Sequence, residues 1–576
     1  MNESNQSMQF LEAEIPLKEG NYEIQVAQTI SEGGQEHTTQ RATHTLRLEG
    51  EKSVNGASWV SRVYPPAFSE GNFGKVLPSI SLSRASLPWE RVGQKGNPKV
   101  PWLALLVFRA DETVSTQSVP LSEIPEMLRP TGEFTPGSTA TVLEVERTLF
   151  ESLVHSAEQL RWMSHVQQGT DEAGQVIFKE ATLLHHRFPK KGVNTAHLVS
   201  LENRWNEEGK FIFQDSETTT VQMISLHSWS YTITTDSDIA FLVAAGELAQ
   251  SLSTLKLPLA TADNEAKIKL AQGLVALPYQ ISDGSASAGW YHGPLATGPT
   301  QSTALYSEQN EAFDSSDRWL RYFSKEGLYD TSYALAWELG RLLALQNTRF
   351  ATGLYQWKRQ HLQHMHHGEQ RAVASRLLPL TSERKEDKQE IPDYVRQWLV
   401  SLTNLEGIPF SYLVPDERMC PVESLRVFRL NVSWVQALVY GAMSLGGKTE
   451  ASTMLAEVFS DSDWETREKY SGLLLRSQVV KDWPDLFVEG VDVTLVRQVK
   501  LAPDTLFCLF DGTPKSLYLE NFREVRHFAW ESDLEASMAG DEVDYRVVKL
   551  KHKTITNPAE MANYLVQTRQ RVVINL

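Results

Sequence analysis

Hydrophobic and polar residues alternate at the start of the chain. Tyr22, Ile24 and Val26 alternate with polar residues, as do Leu46 and Leu48 in the run 44–48, and Gly33-Gly34 lies between the two runs. Period-two alternation is typical of strands with one covered face, and paired glycines favour a turn. The pattern predicts a β-hairpin or two strands of a small sandwich.

A segment rich in proline and glycine follows, in which few positions could continue a helix. It includes Tyr64-Pro65-Pro66 and Leu87-Pro88-Trp89-Glu90-Arg91, where each proline fixes its own φ and restricts the residue before it. The apolar run 102–108 then predicts a buried central strand. We expect residues 1–120 to form a β-rich domain.

Helical and strand-like patterns mix over residues 121–281, which predicts an α+β domain. Residues 144–162 are the best helix candidate, and residues 221–234 predict a strand. The polar segment that begins at Ser282 is rich in Gly, Ser and Thr. It predicts a linker or long loop over residues 282–325.

Residues 326–480 predict a mainly helical region. One helix runs from about 330 to 367, with a break near Gly353, and a second starts after Pro392, a favoured helix-entry residue. A third covers residues 431–445, where two glycines follow as a stop signal.

Strand patterns return after Trp483, and residues 557–569 suit a terminal helix. Residues 481–576 therefore predict a small α+β domain. The predicted fold class is α+β and multidomain: a β-rich N-terminal part, a helical region around 326–480 and a small α+β C-terminal part.

The net charge of the chain disfavours some classes of partner. The 576 residues include 55 Lys and Arg against 72 Asp and Glu, which gives a formal net charge of −17. Such a surface repels phosphate backbones and anionic lipid headgroups, so we expect no nucleic-acid partner.

Targeting signals are not evident in the sequence. The first nine residues lack the basic start and apolar core of a secretory signal. No apolar run approaches the ~20 residues of a membrane-spanning helix. We expect a cytoplasmic protein without membrane insertion, or one incorporated in a particle that the cell releases.

Residue clusters that would bind metals are incomplete. The histidines of one run lack the partners that complete a zinc site and fit a solvated helix end. A second histidine group has no Ser-x-Gly elbow nearby, and two Asp-Ser-Asp motifs stop short of a calcium loop and fit helix caps. We expect no metal, cofactor or catalytic residue among His361, His364, His366, His367, His185, His186, His197, Asp236, Asp238, Asp461 and Asp463.

Only two cysteines occur, Cys420 and Cys508, and both adjoin apolar residues. We expect them to be unpaired and buried. Carboxylates are abundant, and the sequence leaves open whether any two of them converge.

Two motifs combine proline with aromatic or charged residues, at 87–91 and at 414–419 (Val-Pro-Asp-Glu-Arg-Met). Such residues suit rigid structural turns, in which the Trp rings fill the core and the Glu-Arg pairs hold loops together. They also suit contact surfaces, because Trp and Arg often anchor interfaces. The structural-turn or contact residues that we predict are Trp89, Glu90, Arg91, Trp102, Glu417 and Arg418.

These stretches resemble a group of large, uncharacterised bacterial proteins. The likeness also includes the opening at 15–26, the run 101–106 and residues 473–477 (Leu-Leu-Leu-Arg-Ser), and so spans most of the chain. One departure is Lys18-Glu19-Gly20, where the pattern has a small Pro or Ala before the glycine. The group is associated with gene clusters for phage-tail-like contractile injection particles, which implies a gene neighbourhood and no particular functional residue.

The function that we expect is non-catalytic: a structural or accessory protein that contacts other proteins, in a phage-tail-like particle. The alternative is a hydrolase that uses carboxylates or histidines in a cleft between domains. Converging ionisable side chains in a partly dry pocket would favour the hydrolase.

Overall fold

The structure, a computed structural model, describes residues 7–16, 20–32, 35–48, 56–129, 137–154, 156–171, 173–213, 219–234, 241–257, 264–280, 283–298, 315–360, 363, 391–446, 458–521, 527–528, 534–539, 542–550, 555–567 and 570–576. The strands are β1 (Ser7–Leu11), β2 (Gly20–Glu32), β3 (Gln35–Leu48), β4 (Val60–Tyr64), β5 (Glu70–Gly71), β6 (Ser79–Leu82), β7 (Leu103–Phe108), β8 (Ser115–Pro120), β9 (Thr139–Glu146), β10 (Ser164–Thr170), β11 (Val176–Leu184), β12 (Gly192–Ser200), β13 (Thr220–Ile233), β14 (Ser253–Thr254), β15 (Val275–Gln280), β16 (Ala286–Tyr291), β17 (Leu295–Ala296), β18 (Arg321–Phe323), β19 (Leu328–Asp330), β20 (Ser424–Leu430), β21 (Ser471–Arg476), β22 (Phe487–Gly490), β23 (Leu495–Ala502), β24 (Thr505–Phe510), β25 (Ser516–Asn521), β26 (His527–Phe528), β27 (Leu534–Ala539), β28 (Glu542–Leu550), β29 (Val566–Gln567) and β30 (Gln570–Asn575). The helices are α1 (Arg147–Leu153), α2 (Ala157–Trp162), α3 (Phe241–Ala249), α4 (Asn264–Ala271), α5 (Ser332–Gln346), α6 (348–360), α7 (Asp393–Thr403), α8 (Phe410–Leu413), α9 (Val432–Met443), α10 (Asp461–Glu468), α11 (Gln478–Asp482) and α12 (Pro558–Leu565).

The chain divides into two compact units built from discontinuous segments. Unit 1 comprises Met1–Ile239, Asp482–Asp485 and Phe522–Arg569, and unit 2 comprises Ala240–Lys481, Leu486–Asn521 and Gln570–Leu576. Helices and several separate sheets occur in both, so the protein is multidomain and α+β, as predicted. The linear boundaries after residues 120, 281, 325 and 480 stay a prediction.

Unit 1 contains two larger sheets that share a core. One has the order β1-β10-β11-β6-β4, and the other runs β7-β12-β13-β9-β8. Ile80, Val166 and Leu183 of the first sheet lie in one buried cluster with Leu105 and Leu198 of the second. Burying apolar side chains between sheets stabilises this arrangement, because each side chain leaves water.

The strand predicted at 102–108 forms as β7, and its burial is confirmed. Leu103 and Leu105 face one core cluster, and Ala104 and Leu106 face another, so both faces of β7 are covered. Its predicted central place was wrong, because β7 ends the strand order of its sheet. A continuous apolar run indicates that both faces of a strand are covered by other residues. It does not show whether the strand pairs with a neighbour on both of its edges.

The helix predicted over residues 144–162 is interrupted. Its first residues belong to β9, α1 follows, and α2 starts afresh after Ser156. Ser156 Oγ accepts a hydrogen bond from Gln159 N while the Gln159 side chain accepts from Ser156 N, a reciprocal cap that begins a new helix. The strand predicted at 221–234 is confirmed as β13.

The linker predicted over residues 282–325 contains ordered elements. Strands β16, β17 and β18 lie within it, while residues 299–314 lie outside the described residues. Polar composition misled here because β16 begins with small residues, Ala286, Ser287 and Ala288, which also occur in loops.

Unit 2 packs helices α5 and α9 on a sheet of order β14-β20-β21-β24-β23. Strand β24 is buried throughout, and Leu474, Phe507 and Leu509 of the sheet share one core with Trp337 and Leu438 of the helices. The predicted helices after Pro392 and at 431–445 are confirmed as α7 and α9.

The break in the long predicted helix lies at Asn347 and not near Gly353. Asn347 Oδ1 accepts from Phe350 N at 3.1 Å and so caps the start of α6. Gly353 is helical, and a side chain there would collide with Tyr394. The glycine therefore serves close packing between α6 and α7.

Candidate protein-contact surface

The first Pro-Trp motif folds as a buried turn in unit 1. A 3-10 helix covers Leu87–Trp89. Trp89 Nε1 donates to Lys99 O at 3.0 Å, and Trp102 Nε1 donates to Leu87 O at 2.8 Å. Both rings are buried and both polar atoms are satisfied, so the tryptophans hold this turn in the core of unit 1.

Glu90 is bound by the turn that precedes it. Its carboxylate lies 2.8 Å from Arg84 Nη2 and accepts a hydrogen bond from Ser86 Oγ at 2.7 Å. The neighbouring Arg91 points elsewhere. Glu90 and Arg91 follow the 3-10 helix and bind different partners, so this Glu-Arg pair in sequence is not an ion pair in space.

Arg91 forms a buried ion pair with Glu202. Arg91 Nη1 lies 3.1 Å from Glu202 Oε2, and the two side chains are only 7% and 8% exposed. The guanidinium also lies over the Trp102 ring, 4.4 Å from the centroid. Arg91 thus ties the motif to a segment that is distant in sequence.

The second motif is an exposed turn in unit 2. Asp416 caps the 3-10 helix Glu417–Met419, and its carboxylate binds Arg418 at 2.6 Å. The hydrogen bond from Arg418 lowers the pKa of Asp416. Glu417 and Arg418 are exposed to water, so of the six predicted residues the structure buries Trp89, Arg91 and Trp102 but leaves these two at the surface.

Strands β2 and β3 form a two-stranded ribbon in unit 1. Strands of 13 and 14 residues pair antiparallel and form a sheet of their own. The hairpin predicted from alternation is confirmed. An isolated two-stranded ribbon is only marginally stable in water, which is typical of an element that gains contacts from elsewhere.

The ribbon has an apolar face and a polar face. Tyr22 pairs with Leu46, Ile24 with His44 and Val26 with Ala42, and paired residues of antiparallel strands share a face. The opposite face carries residues such as Glu23, Gln25, Thr43 and Arg47. The alternation in the sequence indicates these two faces. It does not show that both of them are open to solvent, as the exposure of Glu23, Gln25, Thr43 and Arg47 shows.

The apolar face is open to solvent. Ile24 is 52% exposed, Val26 53% and Leu46 45%. Contiguous apolar side chains with a polar surround mark protein contact sites more often than chance surface. We call this set (Tyr22, Ile24, Val26, Ala42, His44, Leu46) the apolar ribbon face.

Sequence reasoning also missed Phe68, which is 89% exposed. Its φ is +60°, a left-handed backbone that L-residues with bulky side chains rarely adopt. The preceding Pro65-Pro66 pair argued against a helix here but did not indicate the exposure of the ring.

Groups that resemble catalytic machinery have structural roles within unit 2. Ser332 Oγ donates to Asp330 Oδ1 at 2.5 Å and accepts from the backbone N of His292 at 2.9 Å. Ser332 is completely buried and lies at the start of α5. Asp330 Oδ1 also accepts from Ser332 N at 3.0 Å, so these contacts hold the first residue of α5 in place, and the Ser332 hydroxyl is buried away from any substrate.

A pocket of about 680 Å³ in unit 2 is lined by Arg429, Glu465, Glu468 and Lys469 among others. Glu465, Glu468 and Lys469 are exposed, so water screens their charges. Ionisable groups converge in this pocket, but the pocket is open to water and does not provide the partly dry environment that would favour a hydrolase. The hydrolase alternative stays a hypothesis.

The structure describes some of the other residues that the sequence suggests as candidates for chemistry. The His185 and His186 rings lie 4.8 Å apart in the core of unit 1, and no group of three metal-binding side chains occurs in the described ranges. The motif Asp461-Ser462-Asp463 lies in the first turn of α10, which confirms a helix start there. The N-cap is Ser460, just before the motif, and Asp463 completes the reciprocal cap. Cys420 and Cys508 are free and buried, as predicted. The candidates His361, His364, His366, His367, Asp236 and Asp238 lie outside the described residues.

Acid is expected to destabilise unit 1 through His165. The ring is fully buried between Phe10 and Phe528, no hydrogen bond from the described part of the chain reaches either ring nitrogen, and burial lowers its pKa to about 3. The folded state thus binds fewer protons than the unfolded one. Stability should be full above the unfolded pKa near 6.5 and should fall by about 1.4 kcal/mol per pH unit below it, down to about pH 3.

Urea unfolding of the wild type and His165→Leu between pH 7.5 and 4.5 measures this contribution. The variant should lose part of the acid dependence and should match or exceed the wild type at pH 5. An unchanged slope against pH would show that His165 does not limit acid stability.

Comparisons with known proteins do not assign the chain. No protein-family model matches it, and no curated protein or solved structure matches it. In the part of the chain that the structure describes, no helix is both long enough and apolar enough to cross a membrane.

Proposed function

We propose that this protein is a non-catalytic structural or accessory protein that binds other proteins through the apolar ribbon face. The carrying observation is the exposure of Ile24, Val26 and Leu46 on one face of a ribbon whose other face is polar. Apolar area of this kind contributes roughly 25 cal/mol per Å² when a partner removes it from water.

Charge defines the partner further. With a net charge of −17, the chain attracts a protein whose apolar contact surface has a Lys- and Arg-rich rim, and it repels nucleic acid. The resemblance to proteins of contractile injection gene clusters supports a phage-tail-like particle as the setting. The protein would then be cytoplasmic until it is incorporated in the particle.

Charge substitutions on the two faces of the ribbon test the proposal. Tagged wild type, an Ile24→Lys/Val26→Lys variant and a Gln25→Lys/Thr43→Lys variant are expressed in the native host. Particles are isolated by sedimentation, and the amount of each chain that they carry is measured. The apolar-face variant should lose at least about tenfold of its incorporation, while the polar-face variant keeps it.

Two other outcomes of this experiment would contradict the proposal. Equal incorporation of all three chains would refute the ribbon as the contact. Sedimentation of none of them would refute the particle setting. Both variants keep the buried cores intact, so circular dichroism should match the wild type.

A further inference from the structure

The outer edge of β2 is not paired with any strand in the described part of the chain. There, β2 and β3 form a sheet of two strands, which run antiparallel from Gly20 opposite Leu48 to Glu32 opposite Gln35. Along an antiparallel strand, the backbone groups of every second residue point away from the partner. The thirteen residues of β2 therefore present a row of N–H and C=O groups that is available to a further strand.

The sequence of β2 lacks the residues that normally protect a strand edge. Lys, Arg and Pro do not occur between Gly20 and Glu32, whereas β3 carries Arg41 and Arg47. Exposed edges often carry such residues, because a charge or a missing N–H discourages pairing with another chain. Of the two edges of the ribbon, the β2 edge is thus the one that favours an added strand.

The start of β2 is complementary to itself in an antiparallel arrangement. With a twofold axis at Ile24, Tyr22 of one copy lies opposite Val26 of the other. Aromatic and β-branched residues are a favourable cross-strand pair, and the apolar positions of both copies then share one face.

Charge selects this register. With the axis at Ile24, the Glu23 carboxylate lies opposite the Gln25 amide. An axis at Glu23 would instead place two carboxylates directly opposite each other, and like charges in such a pair are destabilising. An axis at Gln25 would place Tyr22 opposite the polar Gln28.

We propose that two copies of the chain pair through their β2 edges, antiparallel and centred on Ile24, in a four-stranded sheet of order β3-β2-β2-β3. A ribbon of two strands is only marginally stable in water, and the added strands supply the missing backbone partners. The same edge is used on both copies, so the contact is isologous and closes as a dimer. It joins the two apolar ribbon faces into one surface, and it does not depend on the function proposed above.

Disulfide trapping in the purified full chain tests the edge and the register. Cys420 and Cys508 are buried, so an introduced surface cysteine is the accessible thiol of the folded protein. In Ile24→Cys the proposed axis brings two thiols directly opposite each other, with Cα atoms about 4.5–5.5 Å apart, which suits a disulfide. Mild oxidation should convert most of this variant into a covalent dimer.

His44→Cys is the matched control. His44 is paired with Ile24 across the ribbon, lies on the same face and is exposed. In the proposed sheet, two copies of position 44 are separated by three strand spacings, about 14 Å, which a disulfide cannot span. This variant should stay monomeric under the same oxidation.

Sedimentation equilibrium of the reduced chain measures the contact without a cross-link. Wild type should form a dimer and nothing larger, more so at about 0.5 M than at about 0.1 M salt, because salt screens the repulsion between two chains of charge −17. Ile24→Lys places two ammonium groups opposite each other and should raise the dissociation constant of the dimer at least about tenfold. His44→Lys carries the same charge away from the edge and should behave as the wild type.

Three results would overturn the proposal. They are a wild type that is monomeric at every concentration and salt, an Ile24→Cys variant that forms no covalent dimer, and equal cross-linking of Ile24→Cys and His44→Cys, which would indicate stacking of ribbon faces. A monomeric wild type whose incorporation into particles is still lost in the apolar-face variant would refute the edge contact alone and leave the proposed function in place.

Discussion

Gly441→Ala is expected to unfold unit 2 or to lower its free energy of unfolding by more than about 4 kcal/mol. A Cβ added at Gly441 would overlap the carbonyl oxygen of Trp337, and one added at Gly340 would overlap that of Leu438. The obstacles are backbone atoms of the facing helix. Helices α5 and α9 would have to separate, which breaks the shared core.

Gly246→Ala is the matched control for this prediction. Gly246 also lies within a helix, α3, but nothing lies within 4 Å of an added Cβ. Alanine there should be neutral or stabilising by about 0.5–1 kcal/mol. Urea unfolding followed by far-ultraviolet circular dichroism compares the two variants. Similar stabilities for both would mean that α5 and α9 do not approach as closely as described.

Arg91→Ala should destabilise unit 1 by about 1.5–3 kcal/mol, because it removes a charge-assisted hydrogen bond to the Glu202 carboxylate, whose side chain is only 8% exposed. Arg91→Lys should also lose stability, since an ammonium cannot reproduce the planar stacking on Trp102. The double variant Arg91→Ala/Glu202→Gln should recover part of the loss.

Arg418→Ala supplies the contrast. The Arg418 side chain is 72% exposed, and its ion-pair partner among the described residues is Asp416, two positions away, so thermal unfolding should show no measurable change. Thermal and urea unfolding of the four variants make the comparison. If Arg91→Ala kept full stability while a defined chemical activity was lost, the structural interpretation of the turn would fail and the hydrolase alternative would replace it.

The period of the apolar positions predicted the elements whose apolar side chains lie on one face. The stripe after Pro392 and the one at 431–445 became α7 and α9, and alternation at 22–26 and 44–48 became the ribbon. The predicted helix boundaries were wrong where a capping side chain starts a new helix inside an apolar run. Ser156 starts a new helix inside the run 144–162, and Asn347 caps α6 ahead of Gly353.

The two proline motifs show that the sequence does not predict the burial or the partners of the candidate residues. Both combine a proline with a Glu-Arg pair in sequence, yet Arg91 is buried against Glu202 and Arg418 is exposed beside Asp416. Sequence proximity suggested pairing within each motif. The observed partner of Arg91 is 111 positions away, and only the assembled unit brings that carboxylate into place.

The sequence by itself determined the α+β class, the amphipathic ribbon, the acidic charge and the burial of both cysteines, because these follow from composition and from the period of apolar positions. Only the tertiary structure determined which apolar residues are exposed to solvent and which charged side chains are buried. It also determined at which glycines two helices pack closely. The sequence around Ile24, Phe68, Arg91 and Gly441 does not show which of them are exposed or which residues they contact. Their roles depend on neighbours brought from distant parts of the chain, and the free energy of a contact depends on those neighbours and on the water they exclude.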